Sequence, residues 1–111
     1  MEIREKKDNR THAVKLEALE DEAIIGRAYL YLIYNDLHEE PYGLLEDVFV
    51  DEAHRGKGIG SELVKYVIEE AKKQGCYKLI ATSRFEREDV HEWYKRLGFT
   101  EYGKEFRLNF E

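Results

Sequence analysis

The feature that most constrains the fold of this chain is a glycine-rich stretch, His54-Arg-Gly-Lys-Gly-Ile-Gly-Ser61, because two hydrophobic periodicities meet there. Before it, apolar and polar residues alternate, which is typical of half-buried strands. After it, apolar residues recur every three or four positions, which is typical of one face of a helix. The stretch therefore predicts a tight turn that joins a strand to a helix.

Three strands are predicted before this stretch, at residues 13–18, 23–34 and 42–50. The first alternates Val14, Leu16 and Ala18 with charged residues, and an acidic turn separates it from the second. The second strand carries tyrosine and aliphatic residues on both sides, so both of its faces are expected to be covered. This order predicts an antiparallel meander at the start of a sheet.

Two helices and two short strands are predicted after the glycine-rich stretch. The first helix ends at Gly75 and the second at Gly98, because glycine is common just past the last residue of a helix. Apolar alternation predicts strands at residues 77–83 and 106–110. The whole chain, residues 1–111, is therefore predicted to be one domain of mixed α/β (α+β) class with a mixed sheet and two main helices.

Composition argues against several classes of function. The chain has 18 Lys and Arg against 24 Asp and Glu, a net charge of −6, which does not favour binding to nucleic acid or to an anionic membrane. The single cysteine, Cys76, and an N-terminus without an apolar segment indicate a cytoplasmic protein. Histidine, cysteine and carboxylate residues do not occur at metal-ligand spacing, so no metal is expected.

A glycine turn between a strand and a helix predicts an anion-binding site. The first helical turn has N–H donors without intrahelical partners, and Arg55 and Lys57 add positive charge beside them. A Walker A loop is excluded because Lys57 precedes the last two glycines. A dinucleotide fingerprint is excluded because Ser61 stands where its third glycine belongs. The remaining pattern is Arg-x-x-Gly-x-Gly.

This pattern, carried by Arg55, Gly58 and Gly60, resembles the acyl-CoA pyrophosphate loop of the GNAT superfamily of N-acetyltransferases. A second block, Trp93-Tyr-Lys-Arg-Leu-Gly-Phe99, resembles the Tyr-x-x-x-Gly-Phe segment on the last helix of that family. The resemblance implies a GNAT-like mixed sheet in which two adjacent parallel strands, residues 42–50 and 77–83, splay apart. The pantetheine arm of acetyl-CoA would lie in the gap.

The resemblance also implies which residues bind acetyl-CoA, the expected co-substrate. Backbone groups of Val48, Phe49 and Val50 would pair with the pantetheine arm, and one of their N–H groups would polarise the thioester carbonyl and hold the oxyanion. Arg87 is a candidate for binding a CoA phosphate, the alternative being a solvated arginine at a helix start. Backbone amides of the loop would hold the pyrophosphate: Arg55, Gly56, Lys57, Gly58, Ile59, Gly60 and Ser61.

Three residues are candidates for chemistry or acceptor binding. Glu46 resembles the general base of several relatives, and strict alternation places it with Leu44 and Val48 on an apolar side that would raise its carboxyl pKa. The alternative is an exposed carboxylate at a strand edge. Asp47, on the opposite face, could attract a cationic acceptor. Tyr94 matches the family tyrosine that protonates the departing thiolate, the alternative being a plain core tyrosine.

The resemblance thus predicts an acetyl-CoA-dependent N-acetyltransferase that acts on a primary amine: a polyamine, another small amine or a lysine of a peptide or protein. Two alternatives remain, an acyl-CoA-binding or interaction module with little catalysis and a nucleotide-binding domain unrelated to CoA. The short segment before the first strand leaves the acceptor site either open or completed by a partner subunit. A domain of this size is compatible with self-association as a homodimer.

Overall fold

A computed structural model describes residues 1–84 and 86–110, and the chain divides into two compact units, Met1–Ala81 and Thr82–Glu111. The first unit contains β1 (His12–Glu20), β2 (Ala23–Ile33), β3 (Tyr42–Val50), a 3-10 turn (Glu52–His54), α1 (Ile59–Lys73) and β4 (Leu79–Ala81). The second unit contains α2 (Glu88–Arg96). The predicted mixed fold with two helices is confirmed.

The sheet of the first unit has four strands in the order β1-β2-β3-β4. The pairs β1–β2 and β2–β3 are antiparallel, which confirms the predicted meander, whereas β3 and β4 are parallel. The parallel register runs only from Gly43–Leu79 to Leu45–Ala81, while β3 continues to Val50. The last five residues of β3 (46–50) therefore have no parallel partner among the described residues.

The core of the first unit lies between one face of the sheet and α1, whose apolar residues recur at the helical spacing that the sequence predicts. Gly26 permits this close packing, because a Cβ atom there would lie only 3.2 Å from a Leu63 methyl carbon and 3.0 Å from the Phe49 carbonyl oxygen. Each larger side chain buried here contributes about 1.5–3 kcal/mol to folding. The buried residues are Ile25, Ala28, Leu30, Leu32 and Leu45 of the sheet and Leu63, Val64, Val67 and Ala71 of α1.

The opposite face of β2 is less covered than the sequence predicts. Arg27, Tyr29 and Tyr31 are half-buried, because the one α-helix described in the first unit packs on the other side of the sheet. The rings of Tyr29 and Tyr31 stack with their centroids 5.9 Å apart. This face is thus a tyrosine surface between charged residues rather than a second core.

Both helices end in the same hydrogen-bonded arrangement, the Schellman motif. After α1, the amide of Cys76 donates to the Ala71 carbonyl at 3.0 Å and the amide of Gly75 donates to the Lys72 carbonyl at 3.1 Å. Gly75 has a φ of 78°, the left-handed conformation that this motif places just past a helix. The predicted end of the first helix is confirmed.

In the second unit, the same motif explains the spacing of the Tyr-x-x-x-Gly-Phe segment. The amide of Phe99 donates to the Tyr94 carbonyl at 3.0 Å, and the amide of Gly98 donates to the Lys95 carbonyl, also at 3.0 Å. Gly98 has a φ of 105°, and the rings of Tyr94 and Phe99 lie 5.3 Å apart. The glycine turns the chain and the two aromatic rings close the helix end, as an apolar pair commonly does in this motif.

The predicted closing strand at residues 106–110 is wrong. Residues 101–110 carry no regular secondary structure, and Phe106, Leu108 and Phe110 are 91%, 78% and 94% exposed. Alternation of apolar and polar residues marks a segment that could form a strand, but a strand also needs a hydrogen-bonded neighbour. The strand predicted at residues 77–83 is confirmed in a shorter form, Leu79–Ala81.

A β-bulge in β3 changes which side chains share a face. Arg27 pairs with Phe49 and Tyr29 pairs with Glu46, so β3 has one residue more than β2 over this interval. Asp47 has a φ of 53°, and its carboxylate accepts hydrogen bonds from the Arg27 guanidinium at 2.8 and 3.1 Å. The predicted placement of Asp47 on the face opposite Glu46 is therefore wrong, because the bulge breaks strict alternation.

We predict that the ion pair between Asp47 and Arg27 gives a pH-dependent difference in stability. Hydrogen bonds from Arg27 lower the pKa of the Asp47 carboxyl, so the stabilisation is present above about pH 4, the usual aspartate range, and is lost as pH falls through the lower folded-state pKa. Asp47→Asn should lower the Tm slightly at pH 7 and not at all at the acid end of this window. Thermal unfolding from pH 7 to pH 2 measures this difference.

The matched control is Glu46→Gln, which removes the neighbouring exposed carboxylate without breaking an ion pair among the described residues. Its Tm difference from the wild type should not follow the same acid transition. If Asp47→Asn and Glu46→Gln gave the same pH profile, the ion pair would have no specific role.

Candidate functional site

The glycine-rich loop forms a left-handed turn at the start of α1. Gly56 and Gly58 have φ values of 79° and 82°, and Gly58 is the N-cap of the helix. A Cβ atom at either position would meet nothing within 4 Å, so glycine is required here by the backbone conformation and not by crowding. The loop consequently presents bare backbone to solvent.

The backbone amides of this loop are available as donors. The first intrahelical bond runs from the Glu62 amide to the Gly58 carbonyl at 3.0 Å, and no side chain caps the helix. Among the described residues, no backbone carbonyl accepts from the amides of residues 56–60. Lys57 forms no ion pair with a described residue, while Glu62 is the acidic residue of the first turn. Free amides, a helix N-terminus and an unpaired lysine together favour an anion.

The loop is tied to the hairpin formed by β1 and β2. The amide of Asp51 donates to the Ile25 carbonyl at 2.8 Å, and the amide of His54 donates to the Asp51 carbonyl at 2.9 Å. The His54 ring lies between two carboxylates, with Nδ1 3.3 Å from Asp51 and Nε2 3.3 Å from Glu20. Sequence reasoning missed this role of His54, because Glu20 lies more than thirty residues earlier.

The end of β3 offers an open backbone edge beside the loop. Since the Asp51 amide donates to the carbonyl of Ile25 in β2, the adjacent Val50 directs its peptide groups away from β2. The Val50 carbonyl accepts a 3.0 Å hydrogen bond from Arg55 Nε, and the Arg55 guanidinium lies 5.5 Å from the Phe49 ring centroid. Val48, Phe49 and Val50 thus lead directly into the amide-rich loop, along an edge that β4 does not pair.

Glu46 is exposed and lies across from Tyr29 on β2. It shares a face with Leu44 as predicted, but the prediction that Val48 lies on that face is wrong, because the bulge falls between them. The apolar surroundings expected for the Glu46 carboxyl are therefore absent among the described residues. Its carboxylate is accessible and forms no ion pair with a described residue, whereas that of Asp47 is bound to Arg27.

The second unit contains Tyr94 and Arg87. Tyr94 is half-buried, with its ring centroid 5.3 Å from that of Trp93 and 5.3 Å from that of Phe99. Arg87 is the N-cap of α2 and donates to Asp89 at 3.2 and 3.3 Å, which lowers the pKa of the Asp89 carboxyl. Arg87 is thus a paired but exposed cation at the start of the helix.

An open surface depression of about 440 Å³ in the second unit includes Arg87. It was not predicted, because its arginines are scattered in sequence and one of them lies in the segment that the sequence assigns to a strand. Three guanidinium groups meet there in a chain whose net charge is −6. The lining residues are Thr82, Ser83, Arg84, Arg87, Val90, Glu105 and Arg107.

Within residues 1–84 and 86–110, histidine, cysteine and carboxylate side chains do not come together in a group of three or more that could hold a metal ion. Nor does any helix of that part of the chain have the length and apolar character needed to cross a membrane.

Comparison with known proteins identifies relatives of one kind. A "Probable glucosamine 6-phosphate N-acetyltransferase 2" from Oryza sativa subsp. japonica is 40% identical over 61% of this chain and 39% of its own length. An "Aminoalkylphosphonate N-acetyltransferase" from Salmonella typhimurium is 28% identical over 74% of this chain and 53% of its own length. The chain thus spans only about two fifths to one half of these curated relatives.

A solved structure with the same fold is a "Putative acetyltransferase from Agrobacterium tumefaciens str. C58", with a TM-score of 0.81 and 28% identity over 87% of this chain and 68% of that one. The profile of the Acetyltransferase (GNAT) family matches residues 1–99. This match includes the glycine-rich loop and the Tyr-x-x-x-Gly-Phe segment, which confirms the resemblance drawn from those two motifs. Because the profile extends over most of the sequence, the chain belongs to the GNAT acetyltransferase family.

Proposed function

We propose that this protein transfers an acetyl group from acetyl-CoA to a primary amine. The observation that carries the proposal is the row of unpaired backbone amides at residues 56–60, which continues directly from the unpaired edge of β3. A long ligand with an amide-bearing arm and a phosphate-bearing end matches these two features in order. Family membership supports the same reading.

The loop residues fit the pyrophosphate of acetyl-CoA. Backbone N–H groups at a helix N-terminus bind phosphate oxygens, and the helix dipole contributes about 0.3–1 kcal/mol for each favourable charge. Lys57 adds a mobile positive charge, while the Arg55 side chain instead holds the Val50 carbonyl. Binding would therefore depend mainly on the backbone of Gly56, Gly58 and Gly60, with Lys57 as an electrostatic supplement.

The chemistry requires that protons leave the amine and reach the departing sulfur. Bound acetyl-CoA supplies a thioester carbonyl, which a backbone N–H of Val48, Phe49 or Val50 would polarise. A primary amine is mostly protonated at pH 7, so a base assists, and the accessible carboxylate of Glu46 is our candidate. We assign Tyr94 as the proton donor to the thiolate and Asp47, held by Arg27, as a charge that attracts the acceptor.

We predict that Gly58→Ala weakens acetyl-CoA binding by about tenfold or more, whereas Gly75→Ala does not. Both glycines have a φ near 80° in open space at opposite ends of α1, so an added Cβ should cost each variant the same 1–2 kcal/mol or so of stability. Only Gly58 lies in the proposed phosphate loop, where bare backbone must approach the ligand. Isothermal titration with acetyl-CoA measures the difference.

Thermal unfolding of the wild-type protein with acetyl-CoA, ATP and NAD supplies the ligand control. Acetyl-CoA at about one hundred times its Kd should add about 2.7 kcal/mol of stability, a shift of several degrees. Equal losses of affinity in Gly58→Ala and Gly75→Ala would remove the loop from the site. A shift with ATP or NAD but not acetyl-CoA would favour a nucleotide-binding domain.

We predict that Tyr94→Phe lowers kcat by about tenfold or more with acetyl-CoA affinity retained, because the ring can still pack while the proton donor is lost. Tyr102→Phe, a variant of a fully exposed tyrosine in the same unit, is the matched control and should leave kcat unchanged. Thiol release with a panel of polyamines, small amines and lysine peptides measures both variants. An unchanged kcat for Tyr94→Phe would exclude the assigned role.

The same panel separates the enzyme from an acyl-CoA-binding module. A module of that kind would show the acetyl-CoA stability shift and its loss in Gly58→Ala, but would release no thiol with any amine. The unpaired β3 edge and loop amides serve binding in either case, so turnover is the deciding measurement.

A further inference from the structure

The strongest feature outside the proposed acetyl-CoA loop is the arginine-lined cavity of the second unit. Its lining carries three arginines and one glutamate, and Asp89 pairs with Arg87, which leaves an excess of one positive charge, on Arg84, in a chain whose net charge is −6. Positive charge concentrated in one cavity of an acidic protein indicates recognition of an anion rather than general solubility. We call this cavity the arginine pocket.

The donors of the arginine pocket suit an oxyanion with three terminal oxygens. Arg87 engages Asp89, and Arg107 engages Glu105, each through Nε and Nη2, so Nη1 of both remains available. Arg84 makes no ion pair with a described residue, so all the N–H donors of its guanidinium group could bind a ligand. Guanidinium groups bind phosphate oxygens in planar, paired geometry. Thr82 adds a hydroxyl group, which gives four side chains that can donate to a tetrahedral anion, because the hydroxyl of Ser83 donates to the Arg84 carbonyl oxygen.

Three hydrogen bonds meet at the backbone carbonyl oxygen of Arg84. The Arg84 carbonyl oxygen accepts from Ser83 Oγ at 3.3 Å, from the Arg87 amide at 3.1 Å and from His91 Nε2 at 2.8 Å. Because a carbonyl can only accept, Nε2 of His91 carries the proton. His91 thus acts as a positioning residue for the backbone of Arg84.

We propose that the arginine pocket binds a phosphate or phosphonate monoester carried by the amine acceptor. This inference rests on the proposed acetyl transfer and names the class of acceptor. The pyrophosphate of acetyl-CoA has its own candidate loop in the first unit, so the competing occupant of the arginine pocket is the 3′-phosphate of CoA, for which Arg87 is also a candidate and which the second arm of the test distinguishes. The acceptors named for the rice and Salmonella relatives, glucosamine 6-phosphate and aminoalkylphosphonates, both join an amine to a phosphorus oxyanion.

The test compares glucosamine 6-phosphate with glucosamine on the full chain. Arg84→Gln and Arg107→Gln should each raise the Kd of glucosamine 6-phosphate, and its KM under saturating acetyl-CoA, by about tenfold, because each removes a charged donor. The matched control Arg96→Gln removes an exposed cation of the same unit that does not line the pocket and should change neither value. Titration followed by 31P NMR reports binding without turnover, and methylphosphonate serves as a minimal probe.

A second arm identifies the source of the phosphate. If Arg84→Gln weakened acetyl-CoA but not acetyl-dephospho-CoA, the pocket would hold the 3′-phosphate of CoA and the acceptor assignment would be overturned. It would also be overturned if glucosamine 6-phosphate bound wild type, Arg84→Gln and Arg107→Gln equally, or showed no binding. The Gly58→Ala titration tests separately whether the glycine-rich loop binds acetyl-CoA. A failure of the proposed acetyl-CoA site can therefore be told apart from a failure of the proposed acceptor site.

Discussion

The packing of α1 against β2 and β3 is the interaction on which the candidate site of the first unit depends. Burial of Leu63, Val64 and Val67 fixes the axis of the helix over the sheet, and Gly26 allows its first turn to approach closely. The helix N-terminus must then lie near the end of β3, because only eight residues (51–58) separate the two elements. The proposed anion site would follow from the geometry of this packing and not from any particular side chain in the loop.

The bulge in β3 has a different consequence, since it separates the part of the strand that builds the core from the part proposed to bind acetyl-CoA. Up to Leu45 the strand is paired on both sides, by β2 and β4. Beyond it, one extra residue shifts the alternation and the parallel pairing stops. Glu46 and Asp47 at the bulge point to the half-covered face, and the next residues leave an unpaired edge. A single inserted residue thus brings both carboxylates to the half-covered face, at the point of the strand where the pairing with β4 ends.

Most of this architecture could be predicted from the sequence, because the periodicity of apolar residues and the positions of glycines are local properties of the chain. The three strands before the loop, both helices and their glycine ends follow from residues within a few positions of one another. The errors lie where a distant partner decides. Phe106 and Phe110 alternate with polar residues but pair with no described strand through hydrogen bonds. The face on which Asp47 lies depends on how β3 is aligned with Arg27 of β2. The arginine pocket brings together Arg84 and Arg107, which are too far apart in sequence for a local pattern to reveal.

The Schellman motif at the end of α2 explains the spacing of the Tyr-x-x-x-Gly-Phe segment in structural terms. The cap uses the Tyr94 carbonyl, its ring against Phe99, and the left-handed Gly98, and a phenylalanine would serve each of these purposes equally well. The spacing of the segment therefore follows from how a helix ends and says nothing by itself about catalysis. The cap does not use the hydroxyl group of Tyr94, and the proposed role of Tyr94 as proton donor rests on that group.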